Sequence, residues 1–232
     1  MIFRQLFDKE SSTYSYLLAD EKTKDAVLID SVIEQVQRDT KIIKELNLNL
    51  LYLLETHVHA DHITGMSELK NEFIGAKSVV HLSGGVECAD IFVKDGDNIK
   101  FGDYSILVLE TPGHTNGDLC FYVDGKVFTG DTLLIRGCGR TDFQSGCPEK
   151  MYQSVMEKLF TLPDDTSVYP AHDYKGLNIS TIYEERNLNP RLANKTLKEF
   201  VQIMSELKLA EPKKIREAVP ANLRCGKILN SN

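Results

Sequence analysis

The chain of 232 residues lacks an excess of basic residues and lacks any long apolar run. Its 27 Lys and Arg stand against 34 Asp and Glu, giving a formal net charge of −7. This balance argues against a broad basic surface for nucleic acid or an anionic membrane. No stretch approaches the roughly eighteen consecutive apolar residues of a membrane span, and the N-terminal residues show no signal-peptide pattern. We therefore expect neither nucleic acid nor membrane as a partner, and no N-terminal processing.

The cysteines give no recognisable framework either. They are Cys88, Cys120, Cys138, Cys147 and Cys225. Their number is odd and none forms a CxxC pair, so the sequence indicates neither a disulfide scaffold nor a cysteine zinc site. This usage is typical of a reducing compartment and predicts a cytoplasmic protein.

The apolar pattern predicts an α/β protein. With 42% apolar residues, the chain is long enough for one buried core, and we expect one domain over 1–232 with a short helical or irregular segment from about 177. Short apolar segments bounded by turn residues predict strands, and longer segments with apolar residues at helical spacing predict helices. The strands are expected within 14–20, 25–30, 48–57, 104–115, 119–132 and 166–174, and the helices within 31–47, 62–73, 148–162 and 196–207.

Potential metal ligands share one predicted position, the end of a strand. The stretch ETHVHADHIT, residues 55–64, holds three of the six histidines, and three further strand ends each carry one potential ligand. Loops that follow strands are where α/β proteins usually bind ligands. The candidates are His57, His59, Asp61, His62, His114, Asp131 and His172.

The donor types favour a transition metal. His57 and His59 lie two residues apart, so in extended backbone their side chains project to the same side. Imidazole nitrogen beside a carboxylate suits Fe, Zn or Mn better than Ca or Mg. A single histidine is usually structural, and we interpret His81 in this way, but the cluster with three strand-end ligands predicts a metal centre.

The motifs THVHADH, TPGHT, FTGD and PAHD, in this order, resemble the metallo-β-lactamase superfamily. The resemblance spans most of the chain. It implies an αββα sandwich of two mixed β-sheets flanked by helices, with metal at one edge of the paired sheets.

Two branches of that superfamily compete. In the binuclear thioester hydrolases of the glyoxalase II type, the equivalents of His57, His59 and His114 bind one metal. The equivalents of Asp61, His62 and His172 bind a second metal, and that of Asp131 bridges the two. All seven residues are present here. The segments LLIRGCGRTDFQSG, YPAHDYKG, EERNLNPRL and VPANLRCG are instead similar to the persulfide dioxygenases.

The persulfide dioxygenase resemblance implies one Fe(II) per chain, held by His57, His114 and Asp131. Two histidines and one carboxylate leave open positions for substrate and O₂. His59, Asp61, His62 and His172 would orient the ligands through hydrogen bonds, or bind a second metal. The implied reaction oxidises glutathione persulfide with O₂ to sulfite and glutathione, without a catalytic residue beyond the metal site. A homodimer is also implied.

Glutathione is anionic, so its persulfide needs local cations. Arg140 and Arg136 follow Asp131 closely, and Arg140 is suited to a bidentate carboxylate contact. The alternative is that both arginines pair with nearby acids and brace this loop. Tyr174 and Thr115 are predicted to contact substrate, while Cys138 is expected to be a buried, inert thiol. The competing functions are a binuclear thioester hydrolase and a metal-binding protein without turnover.

Overall fold

The computed structural model describes residues 1–212 and 214–228. In this part of the chain, no helix is long and apolar enough to cross a membrane. The chain forms two compact units. The first unit comprises Met1–Val93, Lys100–Ser105 and Glu211–Asn232, and the second comprises Lys94–Ile99 and Ile106–Ala210. The prediction of one domain over the whole chain stays a prediction.

The sheet of the first unit has six strands in sequence order. Its first three strands are antiparallel neighbours, and the third to sixth run parallel. The strands are β1 (Ile2–Asp8), β2 (Thr13–Ala19), β3 (Asp25–Ile29), β4 (Asn49–Leu54), β5 (Lys77–His81) and β6 (Ile91–Val93). Because β3 and β4 are parallel, the residues that follow each strand emerge at the same edge of the sheet.

Helices of the first unit depart from prediction at two points. The stripe expected over 31–47 forms a 3-10 turn (Ile33–Gln35) and then α1 (Val36–Glu45). Helix α2 (Met66–Glu72) begins later than the expected residue 62, because residues 55–65 first form a loop. The C-terminal segment, expected to be helical or irregular, contains a helix, Ile215–Asn222, here numbered α6. The burial of Ala218 and Ala221 stabilises this helix although it contains a proline.

A disulfide between Cys88 and Cys225 corrects the expectation drawn from the cysteines. The two Cα atoms lie 6.1 Å apart and the residues are separated by 137 positions. Spacing along the sequence did not reveal the pair because a disulfide is decided by proximity in the folded chain. Cys120, Cys138 and Cys147 are free thiols.

The second sheet also has six strands, and most of it belongs to the second unit. Parallel and antiparallel pairs occur in both sheets, so both are mixed as expected. In their order across the sheet, the strands are β12 (Ser180–Thr181), β11 (Ser167–Pro170), β10 (Lys126–Gly130), β9 (Leu119–Val123), β8 (Tyr104–Glu110) and β7 (Asn98–Phe101).

Short local sequence patterns explain several turns and helix ends of the second unit. Asp124 and Gly125 join β9 to β10 with φ values of 50° and 70°, the left-handed conformations that a tight Asp-Gly hairpin requires. Proline opens α3 (Pro148–Ser154), which continues as a π-helical segment (Val155–Leu159). Helix α4 (Ile182–Leu188) precedes α5 (Leu197–Ser205), whose N-terminus carries a capping box of Thr196 and Glu199.

Candidate metal centre

The ligand loop of the first unit, residues 55–65, follows the buried strand β4. His57 lies there in a defined tautomer. Thr56 Oγ1 donates to Asp30 Oδ2 at 2.8 Å and lies 3.0 Å from His57 Nδ1. Because that hydroxyl proton is directed to Asp30, the hydroxyl oxygen accepts from His57 Nδ1–H. The lone pair of His57 therefore lies on Nε2, where a metal would bind.

His59 is held by two buried carboxylates. Its Nε2 lies 3.2 Å from Asp30 Oδ1 and 3.4 Å from Glu55 Oε2. Burial by itself lowers the pKa of His59, but Asp30 and Glu55 outweigh it, and the pKa is raised well above the usual range. Its other nitrogen, Nδ1, lies 3.9 Å from Asp61 Oδ1, so carboxylates lie on both sides of the ring.

His62 is oriented by its sequence neighbour. Its Nδ1 lies 3.0 Å from Asp61 Oδ2 and donates to it, and its ring centroid is 4.3 Å from that of His59. Among the described residues, the buried Nε2 of His62 has no hydrogen-bond partner. A buried nitrogen lone pair without a donor is costly unless a cation binds it, so this atom fits a metal ligand.

Asp30 and Glu55 are buried acids beside His59 that the sequence motifs did not indicate. One oxygen of each lies within 4.8 Å of a nitrogen of His59, and all three residues are buried. A signal was present, because Asp30 follows β3 just as the histidines follow β4, and the two strands are parallel. The sequence offers no sign, however, that these acids face His59 instead of solvent.

In the second unit, Asp131 lies between two of the predicted ligands. Its Oδ2 is 3.5 Å from His114 Nε2, and its Oδ1 is 3.7 Å from His172 Nε2. Asp131 Oδ1 is buried and has no hydrogen-bond partner among the described residues. His114 and His172, which follow two other strands, thus each lie beside one oxygen of the Asp131 carboxylate.

The loop after Asp131 fixes the orientation of His114. The carbonyl oxygen of Arg140 accepts from His114 Nδ1 at 2.7 Å, so the lone pair of His114 is on Nε2. Gly139 allows this approach. A Cβ atom there would lie 2.5 Å from the carbonyl oxygen of Asp131 and 3.0 Å from His114 Nδ1. The glycine is therefore part of the ligand geometry.

Thr115, predicted to contact substrate, is directed to a buried acid. Its hydroxyl donates to Asp118 Oδ1 at 2.6 Å, and its backbone N–H donates to Asp118 Oδ2 at 2.7 Å. Burial raises the pKa of Asp118 to about 6, although His114 and the Thr115 hydrogen bonds oppose this shift. Asp118 was also missed from the sequence, where it reads as an ordinary polar residue before a strand.

Both arginines of the loop pair with acids. The guanidinium of Arg136 contacts Glu184 and the fully buried Glu185, and its Nη1 lies 3.1 Å from Ser180 Oγ. These are the contacts that the bracing alternative requires.

Arg140 makes a bidentate pair with Asp142, at 2.6 and 2.8 Å, and its Nη1 donates to the carbonyl oxygen of Ala210. Its guanidinium also lies 4.4 Å from the centre of the Phe143 ring.

Tyr174 and Cys138 differ in exposure. The Tyr174 side chain is 73% exposed, and its ring stacks on His172 with centroids 6.1 Å apart. Its position leaves the ring able to meet a molecule arriving from solvent beside a candidate ligand. Cys138 is buried, and burial raises the pKa of its thiol despite the nearby Arg191. A protonated, enclosed thiol fits the expected inert role.

Comparisons with known proteins identify the family of this chain. A family model described as the metallo-beta-lactamase superfamily matches residues 8–172. The chain belongs to the metallo-β-lactamase superfamily. It is 51% identical over 228 residues to persulfide dioxygenase ETHE1, mitochondrial, of Bos taurus, which covers 97% of this chain and 89% of that relative. The crystal structure of ETHE1 from Myxococcus xanthus matches with a TM-score of 0.96 and 51% identity, over 98% of this chain and 100% of that one.

Within the superfamily, the chain belongs with the persulfide dioxygenases. A hydroxyacylglutathione hydrolase of Photobacterium profundum is 40% identical over 152 residues, covering 66% of this chain and 59% of the relative. Similarity to the persulfide dioxygenases is both higher and nearly complete along the chain. The predicted fold class, a metallo-β-lactamase fold with two mixed sheets and helices, is confirmed.

Proposed function

We propose that this protein is an Fe(II)-dependent persulfide dioxygenase that acts on glutathione persulfide. The observation that carries the proposal is the 51% identity to a persulfide dioxygenase over 97% of the chain. The overall reaction converts the persulfide GSSH, O₂ and water into glutathione, sulfite and two protons. Both atoms of O₂ and the oxygen of water end on the terminal sulfur, which is oxidised while O₂ is reduced.

His57, His114 and Asp131 are the proposed iron ligands, one iron per chain. Two imidazoles and one carboxylate form the donor set of many non-haem iron oxygenases. The tautomers support this assignment. Thr56 accepts the Nδ1 proton of His57 and the Arg140 carbonyl accepts that of His114, which places the lone pair of each ring on Nε2. When bound, Fe(II) supplies redox capacity and open coordination positions for the persulfide sulfur and O₂.

The remaining ligand-type residues are proposed to orient this centre. Asp30 and Glu55 hold the ring of His59, while Asp61 holds the ring of His62. Residues of this kind fix the direction and basicity of the groups beside a metal. His172 would act similarly on Asp131, whose Oδ1 is 3.7 Å from its Nε2.

Substrate contact is assigned to Tyr174 and Arg140. Tyr174 is exposed beside His172, and Arg140 supplies the carbonyl that orients His114. Binding a glutathione carboxylate at Arg140 would exchange one carboxylate for another, because the guanidinium is paired with Asp142. We leave Arg136 and Thr115 out of the proposed substrate site, since their donors serve internal hydrogen bonds.

The second candidate function is a binuclear thioester hydrolase. It is favoured by the buried His62 Nε2 and Asp131 Oδ1, which lack hydrogen-bond partners among the described residues, as ligands of a second metal would. The similarity to a hydroxyacylglutathione hydrolase is shorter and weaker than that to the persulfide dioxygenases. The cytoplasmic location and the homodimer stay predictions.

Oxygen uptake measured together with metal content tests the proposal. Anaerobically purified, Fe(II)-loaded protein is given glutathione persulfide or a glutathione thioester. We expect O₂ consumption and sulfite formation with the persulfide, about one iron per chain, and no thioester hydrolysis. Thioester hydrolysis with about two metals per chain and no O₂ uptake would replace the dioxygenase with the hydrolase.

Three histidine or aspartate variants sharpen this test. Asp131→Ala should lose all bound metal, while His81→Ala should retain it, because the His81 Nδ1 is engaged by the backbone N–H of Ser83. His172→Ala separates the candidates. It should keep one iron in the dioxygenase, but should lose one of two metals in the hydrolase.

A further inference from the structure

The segment VPANLRCG, residues 219–226, has no part in the proposed reaction, yet it holds the ligand loop. We propose that Asn222, the last residue of α6, is a positioning residue for the ligand loop, residues 55–65. This inference rests on the proposed metal centre. Asn222 is buried, and it lies some 160 positions away from the loop in sequence.

The Asn222 amide makes three hydrogen bonds to the backbone of this loop. Its Nδ2 donates to the carbonyl oxygens of His59 and His62, both at 2.9 Å. Its Oδ1 accepts from the backbone N–H of Thr64, also at 2.9 Å. Both amide hydrogens and the amide oxygen are thus directed at the backbone that carries the candidate ligands. No alkyl or hydroxyl side chain of similar size offers this combination of two donors and an acceptor.

A relay through Thr64 reaches a histidine ring as well. Thr64 Oγ1 donates to Glu55 Oε1 at 2.6 Å, and Glu55 Oε2 lies 3.4 Å from His59 Nε2. Asn222 therefore fixes His59 at two points, directly at its carbonyl oxygen and through Thr64 and Glu55 at its ring. In the proposed centre, His59 is one of the residues that orient the iron ligands, so Asn222 acts on the metal through His59 and through the backbone of the loop. Residues that orient metal ligands typically contribute about 10–100-fold to metal affinity.

The segment that carries Asn222 is itself anchored against the loop. The backbone N–H of Ser67 donates to the carbonyl oxygen of Cys225 at 3.2 Å, and Cys225 is bonded to Cys88. Gly226 has φ of +83°, and a Cβ atom there would lie 2.2 Å from the carbonyl oxygen of Thr64. Backbone contact on one side and the disulfide on the other keep the Asn222 amide in register with the loop.

Fe(II) affinity of Asn222 variants, measured anaerobically by competition with a chelator, tests the inference. Asn222→Ala should weaken Fe(II) binding by about 10–100-fold. Asn222→Asp keeps the side-chain volume and an acceptor for Thr64 but turns an oxygen towards two carbonyl oxygens, so it should weaken binding at least as much. This variant also serves if Asn222→Ala does not fold.

Asp20→Ala is the matched control. Asp20 is buried in the first unit and accepts from three backbone N–H groups, those of Lys22, Thr23 and Asp103, at 2.7, 3.4 and 2.6 Å. Its loss should lower thermal stability in a similar way but leave Fe(II) affinity within about twofold of wild type. If Asn222→Ala and Asp20→Ala lose the same stability but only Asn222→Ala loses Fe(II) affinity, the affinity change does not come from stability alone.

Each outcome bears on a different claim. Wild-type Fe(II) affinity in the Asn222 variants, or an equal loss in Asp20→Ala, overturns the positioning role. A wild-type protein that binds Fe(II) but consumes no O₂ with the persulfide overturns the proposed reaction and leaves the positioning role standing if the variants lose affinity. A wild-type protein that takes up no metal overturns both.

Discussion

Replacing Gly139 by alanine tests whether the ligands of the second unit depend on a close backbone approach. The new Cβ atom would lie 2.5 Å from the carbonyl oxygen of Asp131 and 3.0 Å from His114 Nδ1. Van der Waals contact is near 3.5 Å, so the groups must separate by roughly 1 Å. Overpacking of this size costs about 1–3 kcal/mol of unfolding free energy. For a chain of this length, that free energy corresponds to a fall in Tm of several degrees.

The same displacement should also weaken Fe(II) binding. It separates His114 from the Arg140 carbonyl that holds its tautomer, and it moves the backbone of Asp131. We expect Fe(II) affinity to fall by about 10–100-fold. Iron per chain is measured by metal analysis after dialysis against a weak chelator, and Tm by calorimetry on the metal-free protein.

Gly137→Ala is the control from the same loop. A Cβ atom there would meet only Leu134 Cβ, at 3.9 Å, which is an ordinary contact. This variant should match wild type in both Tm and iron content. The reasoning is refuted if Gly139→Ala retains iron as wild type does, or if Gly137→Ala loses as much.

Three further predictions concern other parts of the molecule. Arg136→Met should leave the buried Glu185 without its cation, so the unfolding free energy measured with urea should fall by about 3 kcal/mol while KM stays unchanged. A raised KM at wild-type stability would instead indicate that Arg136 binds substrate. Because the pKa of Asp118 is raised to about 6, the folded protein binds a proton between pH 4 and 6 that the unfolded chain releases. Stability of the metal-free protein should therefore fall as pH rises through that range, by roughly 3 kcal/mol at most, and Asp118→Asn should flatten this profile; an equally steep profile in the variant would contradict the assignment. Reducing the Cys88–Cys225 disulfide should lower the unfolding free energy by about 2–4 kcal/mol, and identical urea midpoints with and without reductant would count against the cross-link.

The candidate ligands could be predicted because each depends on a local pattern. Buried strands are recognisable as apolar runs, and the residues that follow them are few, so a histidine or aspartate at that point stands out. His57, His114 and Asp131 were each identified in this way. The edge strand β1 was not predicted, because most of its residues are only partly buried and its apolar signal is weak. Four further strands, β5, β6, β7 and β12, also lay outside the predicted ranges.

The environment of each ligand could not be predicted, because it depends on residues that are distant in sequence. The tautomer of His57 depends on Asp30, and that of His114 depends on a carbonyl 26 residues further on. A sequence contains Arg136 and Glu185 but does not show that they pair, since many acids compete for one guanidinium until the chain is folded. The Cys88–Cys225 bond was hidden for the same reason.

The sequence by itself determined the fold class of this protein, the imidazole and carboxylate donors at its strand ends, and the motifs that assign it to a superfamily. Periodicity and spacing carry that information because strands and their following loops are local structures. Only the tertiary structure decided which hydrogen bonds fix the rings of His57 and His114, which arginines are already paired and that Asn222 holds the ligand loop. Hydrogen bonds and ion pairs form between whatever groups the fold brings within about 3–4 Å, and no pattern along the chain specifies that proximity.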